Sequence, residues 1–433
     1  MKKILLWLLV VLVGISMLAT FSLVGCKTTT TTTTAATTTA AETTAVAETT
    51  AVAETTAVAE TTTKEPVKIG LVTWSEGTTL TAGRAYTRAF KSGISYINNQ
   101  GGILDGRMAE GIIAPQGITS ETAKNAALRL VMTDGVTALI GPHWGSYAPA
   151  GLEVAQKYKI PFLPLQGGTW LYEQKYIGTV GFEANAFGRA NAEAKWAEGK
   201  GYKKVVWLGI DMPYNDDVIN TIKLRWTSAD FPELIDIIKY DFNAVDIKTE
   251  VTKAAGLKPD LIWCEEWSDT SATFILKQLN ELGYKGDVVL TSEIKSQTII
   301  DLPRERTEGV YVFKEWVPDA TVPENKVFTD YMTKEWGEIP DCDEQIIWSA
   351  TVFVLLAMDK AGVVPDGSEE ALNKVGEAMH SLDWTGPMGI PTKLDESGLV
   401  LRDKLAMAVI KDGVFVLDKY IEMTNSEWLP WLK

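Results

Sequence analysis

From position 67 onward, apolar and polar residues follow a repeating pattern along the chain. Short apolar runs, typical of buried parallel strands, alternate with longer stretches that have one apolar face, typical of helices. The first amphipathic stretch, 84–98, ends in Asn98-Asn99-Gln100-Gly101-Gly102, and such residues tolerate the left-handed backbone that terminates a helix. Its apolar face consists of Ala85, Ala89, Phe90, Ile94 and Ile97.

The same strand and helix unit recurs through most of the chain. The predicted strands are 67–73, 136–140, 160–165, 204–210, 234–240, 261–264 and 287–291. The predicted helices are 84–98, 119–134, 146–158, 186–199, 217–226, 247–256, 270–282, 324–336 and 344–361. The runs 405–410 and 414–420 flank Asp412-Gly413, which predicts a hairpin. This alternation indicates an α/β protein with two lobes.

The amino terminus has the pattern of a targeting signal. Lys2 and Lys3 precede an apolar run that ends in Leu23-Val24-Gly25-Cys26. A basic end followed by an apolar segment and small residues is typical of a secretory signal. The last four residues resemble the bacterial lipobox, so we expect 1–26 to be a lipoprotein signal peptide with a lipid on Cys26. An uncleaved membrane helix is the alternative, because the run is long enough to span a bilayer.

Residues 27–65 are rich in threonine and contain a repeat, Ala-Glu-Thr-Thr-Ala-Val, that starts at Ala41, Ala47 and Ala53. The segment lacks aromatic residues and has too little apolar surface to offset the entropy of ordering. It is therefore predicted to be a disordered stalk that holds the folded part away from a membrane. Because threonine favours strands, a stacked β repeat is the alternative.

The composition limits the classes of function that this chain can have. The chain of 433 residues carries 56 acidic and 41 basic side chains, a net charge of −15, which has the wrong sign for binding nucleic acid. With only two histidines, His143 and His380, a metal site built from several imidazoles is excluded. The sequence has no nucleophile elbow, P-loop, dinucleotide fingerprint or zinc-protease motif. We therefore expect a protein that is not an enzyme and has no cofactor or metal.

Five short segments occur in a set order along the chain: Lys68-Ile69-Gly70-Leu71, Asn98 to Gly102 with Ile103 and Gly106, Ile140-Gly141-Pro142, Ile160-Pro161-Phe162 and Leu394-Asp395-Glu396-Ser397-Gly398. Together they resemble the type I periplasmic binding proteins of the branched-chain amino acid kind, the solute receptors of ABC importers. The resemblance covers nearly all of 66–433. It implies two Rossmann-like lobes joined by three hinge crossovers, with lobe one at 66–183 and 317–402 and lobe two at 184–316 and 403–433.

Ligands of open α/β sheets bind beyond the carboxyl ends of the strands, and here the segments at those places are rich in tryptophan. We expect these side chains to wall one cleft, although a place in the core is the commoner fate of tryptophan. The four tryptophans are Trp74, Trp144, Trp170 and Trp267.

Ser146 lies where a helix is predicted to begin, so its hydroxyl and the free backbone N–H groups form a possible carboxylate site, or an ordinary N-cap. The resemblance favours the former. It also implies that Gln166, Gly168 and Thr169 lie near the α-carboxylate, that Tyr214 lies in the site and that Glu293 pairs with a ligand ammonium. For Glu293, a solvated acid at a helix start is the alternative.

The sequence departs from close relatives at Ala82, where they can have an aromatic residue, and at Trp144-Gly145, which replaces a serine-rich stretch. The pocket is therefore not that of the leucine receptor, and amino acids, amines, amides and aromatic solutes all remain open. Aromatic faces together with Glu265, Glu266 and Glu293 would favour a cationic group.

The predicted function is that of an extracytoplasmic solute-binding lipoprotein. It would be a monomer, anchored to the cell membrane by its lipid, that delivers a small molecule to an ABC permease and its ATPase subunits. An extracellular sensor that acts through a partner membrane protein is the alternative. Cys264 and Cys342 would fall in different lobes, where a bridge would restrain closure, so two separate thiols are expected.

Overall fold

The described part of the chain contains two β-sheets, one parallel and one mixed. The computed structural model describes residues 64–74, 80–142, 147–165, 174–241, 244, 246–266, 269–291 and 299–423. The signal segment and the stalk predicted at 1–65 lie outside these ranges, apart from Lys64 and Glu65.

The first sheet has four parallel strands in the order β2-β1-β3-β4. Strand β1 is an almost uninterrupted apolar run and is buried along nearly its whole length, as expected for a strand covered on both faces. The strands are β1 Val67–Trp74, β2 Ala109–Gln116, β3 Leu139–Ile140 and β4 Phe162–Leu163.

The helices that follow β1, β2 and β3 are α1 Leu80–Asn99, α2 Ser120–Arg129 and α3 Ala148–Tyr158. Helix α2 begins at a capping box, in which Thr119 and Thr122 each satisfy a backbone N–H of the other. It continues into one π-helical turn, Leu130–Asp134, and ends at Gly135, whose φ of 71° is left-handed. The first helix keeps the predicted apolar face, since Ala85, Ala89 and Phe90 are buried.

The second sheet has seven strands in the order β11-β10-β9-β8-β7-β5-β6. Strands β5 to β9 are parallel, whereas β10 is antiparallel to both β9 and β11. The predicted hairpin turn is present, with Asp412 and Gly413 at φ values of 54° and 73°. The strands are β5 Lys204–Ile210, β6 Glu233–Tyr240, β7 Leu261–Glu265, β8 Asp287–Leu290, β9 Tyr311–Lys314, β10 Lys404–Lys411 and β11 Val414–Glu422.

The helices of the second lobe are α4 Ala186–Lys200, α5 Pro213–Arg225, α6 Lys248–Gly256, α7 Asp269–Glu281 and α8 Arg304–Thr307. After β9 the chain returns to the first lobe with α9 Pro323–Trp336, α10 Cys342–Ala361 and α11 Glu369–His380. Helix α10 packs along α1, where the Arg88 Nη2 atom lies 2.7 Å from Glu344 Oε1. Strands β10 and β11 then return to the second sheet.

The chain thus passes between the lobes three times, through residues 181–185, 315–322 and 399–403, which we call the crossing segments. The first and third run side by side, because Gly181 and Leu399 form a parallel bridge. The expected fold is confirmed: two Rossmann-like α/β lobes joined by three crossovers. The sequence analysis did not predict β2, β9, α8 or α11.

Helices of the described ranges are all too short or too polar to cross a bilayer. Cys264 and Cys342 are both buried and both free, in agreement with the expectation of two separate thiols.

Candidate ligand-binding site

The carboxyl ends of the parallel strands are where a ligand is expected in this architecture. In the first lobe the described residues at these ends include Trp74 of β1 and Gln116 of β2, which are paired in register. In the second lobe they include Glu265 of β7 and Glu266, which directly follows it. The second lobe therefore presents two consecutive carboxyl groups at this edge.

Trp74 is part of the packed interior of the first lobe. Its side chain is 4% exposed, and its ring centroid lies 5.8 Å from that of Tyr86 on α1. The apolar side chains around it belong to the main hydrophobic core. For Trp74 the structure thus gives the core position that was the alternative to a cleft wall, and contact with a ligand stays a prediction.

Tyr214 lies in the first turn of α5, directly after the segment that follows β5. The Arg189 guanidinium carbon lies 5.3 Å from the centre of its ring, within cation–π distance. Burial raises the pKa of Tyr214 well above its usual value, and the charge of Arg189 opposes that shift. Tyr214 therefore stays a neutral phenol beside a buried cation.

Arg189 is the centre of a buried ionic cluster. It lies on α4, where its Nε atom is 3.1 Å from Glu193 Oε1 one turn later, and its Nη2 atom donates to Glu265 Oε2. Trp263 donates its indole N–H to the other oxygen of Glu265 at 3.1 Å. Burial raises the pKa of Glu193 well above its usual range despite the opposing charge of Arg189.

This cluster links α4 to β7 in the centre of the second sheet. Burial works to lower the pKa of Arg189, but the charges of Glu265 and its neighbours outweigh it and raise that pKa well above the ordinary value. Two carboxyl groups therefore share one guanidinium, and the raised pKa of Glu193 favours its protonated form, which would reduce the excess negative charge.

Glu266 lies outside the Arg189 cluster and is hydrogen-bonded by hydroxyl groups. The Tyr240 hydroxyl, at the end of β6, donates to Glu266 Oε1, and the Thr291 hydroxyl donates to its backbone carbonyl. Burial raises the pKa of Glu266 to about 8, and the hydroxyls of Ser271 and Tyr240 partly offset that effect. This carboxyl group can therefore exchange a proton near neutral pH.

The crossing segments carry a second buried ion pair, between Glu315 and Arg402. The sequence analysis did not identify it, nor did it identify Arg189, Glu193 or Gln116. The two helical residues Arg189 and Glu193 have the spacing of an ordinary surface pair, so their burial has no local signal.

Most of the predicted site residues belong to segments outside the described ranges. The following lie outside the described residues and stay predictions: Trp144, Ser146, Gln166, Gly168, Thr169, Trp170, Trp267, Glu293 and the lipidation site Cys26. Within the described ranges, groups of three or more metal-ligating side chains are not found.

Comparison of the sequence with protein-family models identifies the family to which this chain belongs. Residues 66–413 match the family model of the periplasmic binding proteins, which is well over half of the chain. The chain belongs to this periplasmic binding protein family. The family predicted from the sequence is therefore confirmed, and with it a general role in solute binding outside the cytoplasm.

Solved periplasmic binding proteins share the fold at low sequence identity. A leucine-binding protein, LivK, from Thermotoga maritima is 19% identical, with a TM-score of 0.70 over 82% of this chain and 99% of its own. A solute-binding protein of an R. palustris ABC transporter, in complex with benzoate, is 19% identical with a TM-score of 0.73 over 83% and 97%. LivJ from Streptococcus pneumoniae, in complex with isoleucine, is 18% identical with a TM-score of 0.71 over 83% and 99%.

Proposed function

We propose that this protein is a lipid-anchored receptor that captures a small carboxylate-bearing solute between its two lobes and delivers it to an ABC permease. The observation that carries the proposal is the family match over residues 66–413, which spans the first sheet, strands β5 to β10 of the second sheet and all three crossing segments. The lobes would comprise 66–183 with 317–402 and 184–316 with 403–433. The positions of β1 to β4 and of β5 to β11 in separate sheets support this division.

Two related complexes support this choice of solute class. One relative holds benzoate and another holds isoleucine, and both ligands carry a carboxylate. In this chain Glu265 is paired with Arg189, whereas Glu266 can exchange a proton near neutral pH, so a cationic group beside Glu266 would favour its ionised form and an anionic group would oppose it. An amino acid would therefore orient its carboxylate toward the first lobe, and its ammonium toward the second.

A thermal-shift screen of the mature protein tests this function. Ligands would include L-leucine, L-isoleucine, benzoate and 3,4-dihydroxybenzoate, with confirmation by calorimetry. A ligand present at 100 times its Kd stabilises the folded state by about 2.7 kcal/mol, so a true solute raises Tm in proportion to the logarithm of its concentration. Absence of any stabilisation by carboxylates would overturn the proposed solute class, and turnover of a bound compound would favour an enzyme.

The lipid anchor has a separate test. In a bacterial host, the wild-type chain should fractionate with the membrane, whereas Cys26→Ser should be released or retain its signal peptide. Intact mass is the control, because a membrane-extracted species that still contains Met1 would contradict lipidation at Cys26.

A further inference from the structure

Gln116 is a buried amide at the carboxyl end of the first sheet. It is the last residue of the edge strand β2 and is 3% exposed. Neither its Nε2 nor its Oε1 atom has a hydrogen-bond partner among the described residues. Since nearly all buried polar groups of native proteins are hydrogen-bonded, an amide with neither function satisfied requires an explanation.

The other buried glutamines of the described ranges each donate a hydrogen bond through Nε2, although their Oε1 atoms, like that of Gln116, have no partner there. Gln278 donates through Nε2 to the Lys248 carbonyl at 2.9 Å and contacts the Thr252 hydroxyl at 3.0 Å. Gln345 donates through Nε2 to the Ser349 hydroxyl at 2.8 Å. The amide nitrogen of Gln116 is therefore the exception among the buried glutamines of this part of the chain.

The position of Gln116 relates it to the expected site. It is paired in register with Trp74, so it lies at the edge where ligands of such sheets bind. The Tyr147 hydroxyl donates to the Ile118 carbonyl at 2.9 Å, which holds the start of α3 beside the segment that follows Gln116. At the same edge, the Thr73 hydroxyl of β1 is also buried and has no partner among the described residues.

We propose that Gln116 is a ligand-binding residue, whose Nε2 atom donates a hydrogen bond to the carboxylate of the bound solute. This inference rests on the proposed function and adds a specificity residue to it. An amide is the appropriate group for the task, because it donates without carrying a charge that would need compensation in the free protein. Hydrogen bonds to charged groups are also the stronger kind.

Two variants and one control test the assignment by calorimetry, with whichever of L-leucine, L-isoleucine, benzoate or 3,4-dihydroxybenzoate the wild-type protein binds most tightly. Gln116→Met should weaken binding roughly 10- to 100-fold, the range for losing a hydrogen bond to a charged group. Gln116→Glu places a carboxyl group against a carboxylate and should weaken it further at pH 8. Gln278→Met, on α7 of the second lobe, should leave affinity unchanged.

Thermal unfolding without ligand separates binding from structure. Because the Gln116 amide makes no hydrogen bond in the described part of the chain, Gln116→Met should leave Tm unchanged or raise it. Gln278→Met breaks formed hydrogen bonds and should lower Tm. A fall of several degrees in Gln116→Met would overturn the proposal, because it would show that the amide is needed for the fold or for holding a structural water.

The failure of this inference can be distinguished from that of the proposed function. If the wild-type protein binds a carboxylate and Gln116→Met binds it equally well, Gln116 is not a ligand residue and the receptor function stands. If the wild-type protein binds none of the four carboxylates, the proposed solute class and the role of Gln116 are both wrong.

Discussion

The Arg402 Nη2 atom lies 3.1 Å from Glu315 Oε2, and both side chains are buried. Each residue belongs to a different crossing segment. The Glu315 carboxylate also accepts the backbone N–H of Ala184, at 3.1 and 2.9 Å to its two oxygens, and Ala184 belongs to the remaining segment. One carboxylate therefore joins all three connections between the lobes, at the place where any hinge movement must occur.

Neutralising this carboxylate should destabilise the whole protein. Glu315→Gln keeps an acceptor for the Ala184 N–H but leaves the Arg402 guanidinium buried without its counter-charge. Removing one member of a buried ion pair typically costs about 3–5 kcal/mol. Urea unfolding, followed by tryptophan fluorescence, should show a loss in the free energy of unfolding within that range.

The matched control is the exposed ion pair of Lys326 and Asp330, one turn apart on α9. Asp330→Asn should change the free energy of unfolding by less than about 0.5 kcal/mol, because exposed pairs contribute little. Equal, small effects of Glu315→Gln and Asp330→Asn would show that the buried pair does not hold the crossing segments together.

Glu266 predicts a pH dependence of stability. Burial raises its pKa to about 8 in the folded protein, above the value of about 4.3 for an unfolded glutamate. Between these values the folded state binds more protons than the unfolded state, so stability is present at low pH and is lost as pH rises through 8. Glu266→Gln should remove this part of the dependence and should be more stable than wild type at pH 9.

Thermal unfolding between pH 5 and pH 9 measures the effect as the difference between wild type and variant. Glu110→Gln on β2 is the control, since Glu110 is exposed and the substitution should leave the curve unchanged. Parallel curves for wild type and Glu266→Gln would mean that Glu266 is ionised in the folded protein throughout.

The first lobe shows which strands a pattern can predict. The pattern predicts β1 because it is an almost uninterrupted apolar run, but β2 contains Gly111 and Pro115, which suggest a break. Tertiary structure explains both residues in this strand. A Cβ at Gly111 would lie 2.7 Å from the Phe90 ring, so only glycine fits there. Pro115 is tolerated because β2 is an edge strand. These reasons depend on neighbours distant in sequence, so local pattern could not supply them.

The ionic cluster was unpredictable for a related reason. Arg189 and Glu193 are spaced like a solvent-exposed pair, and only the position of Glu265 on β7 shows that they belong to the interior. Conversely, the strand ends that hold Tyr214 and Glu266 were expected near a ligand site, because the carboxyl edge of a parallel sheet follows from topology. The sequence therefore predicts which residues lie at the carboxyl edge of the sheet. The pairing of Arg189 with Glu193 and Glu265 becomes apparent only from the fold.

Tyr214 should contribute to affinity through its hydroxyl. If the phenol contacts the solute, Tyr214→Phe loses one hydrogen bond, which should weaken binding about 2- to 13-fold in calorimetry. The ring stays in place beside Arg189, so Tm without ligand should change little.

Tyr284→Phe is the matched control for this loss. The Tyr284 hydroxyl donates to the Pro259 carbonyl at 3.0 Å, at the amino end of β7 and thus at the opposite edge of the sheet. This variant should lower Tm slightly and leave affinity unchanged. Tyr214→Phe binding with wild-type affinity would remove the hydroxyl from the site.

The thiols allow burial and lipidation to be tested in one titration. Burial raises the pKa of both Cys264 and Cys342 well above the ordinary value, so neither forms the reactive thiolate in the folded protein. The native, membrane-extracted protein should therefore react negligibly with a thiol reagent through these two residues. In denaturant it should titrate two thiols if Cys26 carries the lipid and three if Cys26 is free. Cys26→Ser fixes the count at two, and rapid modification of this variant before denaturation would contradict the burial of Cys264 or Cys342.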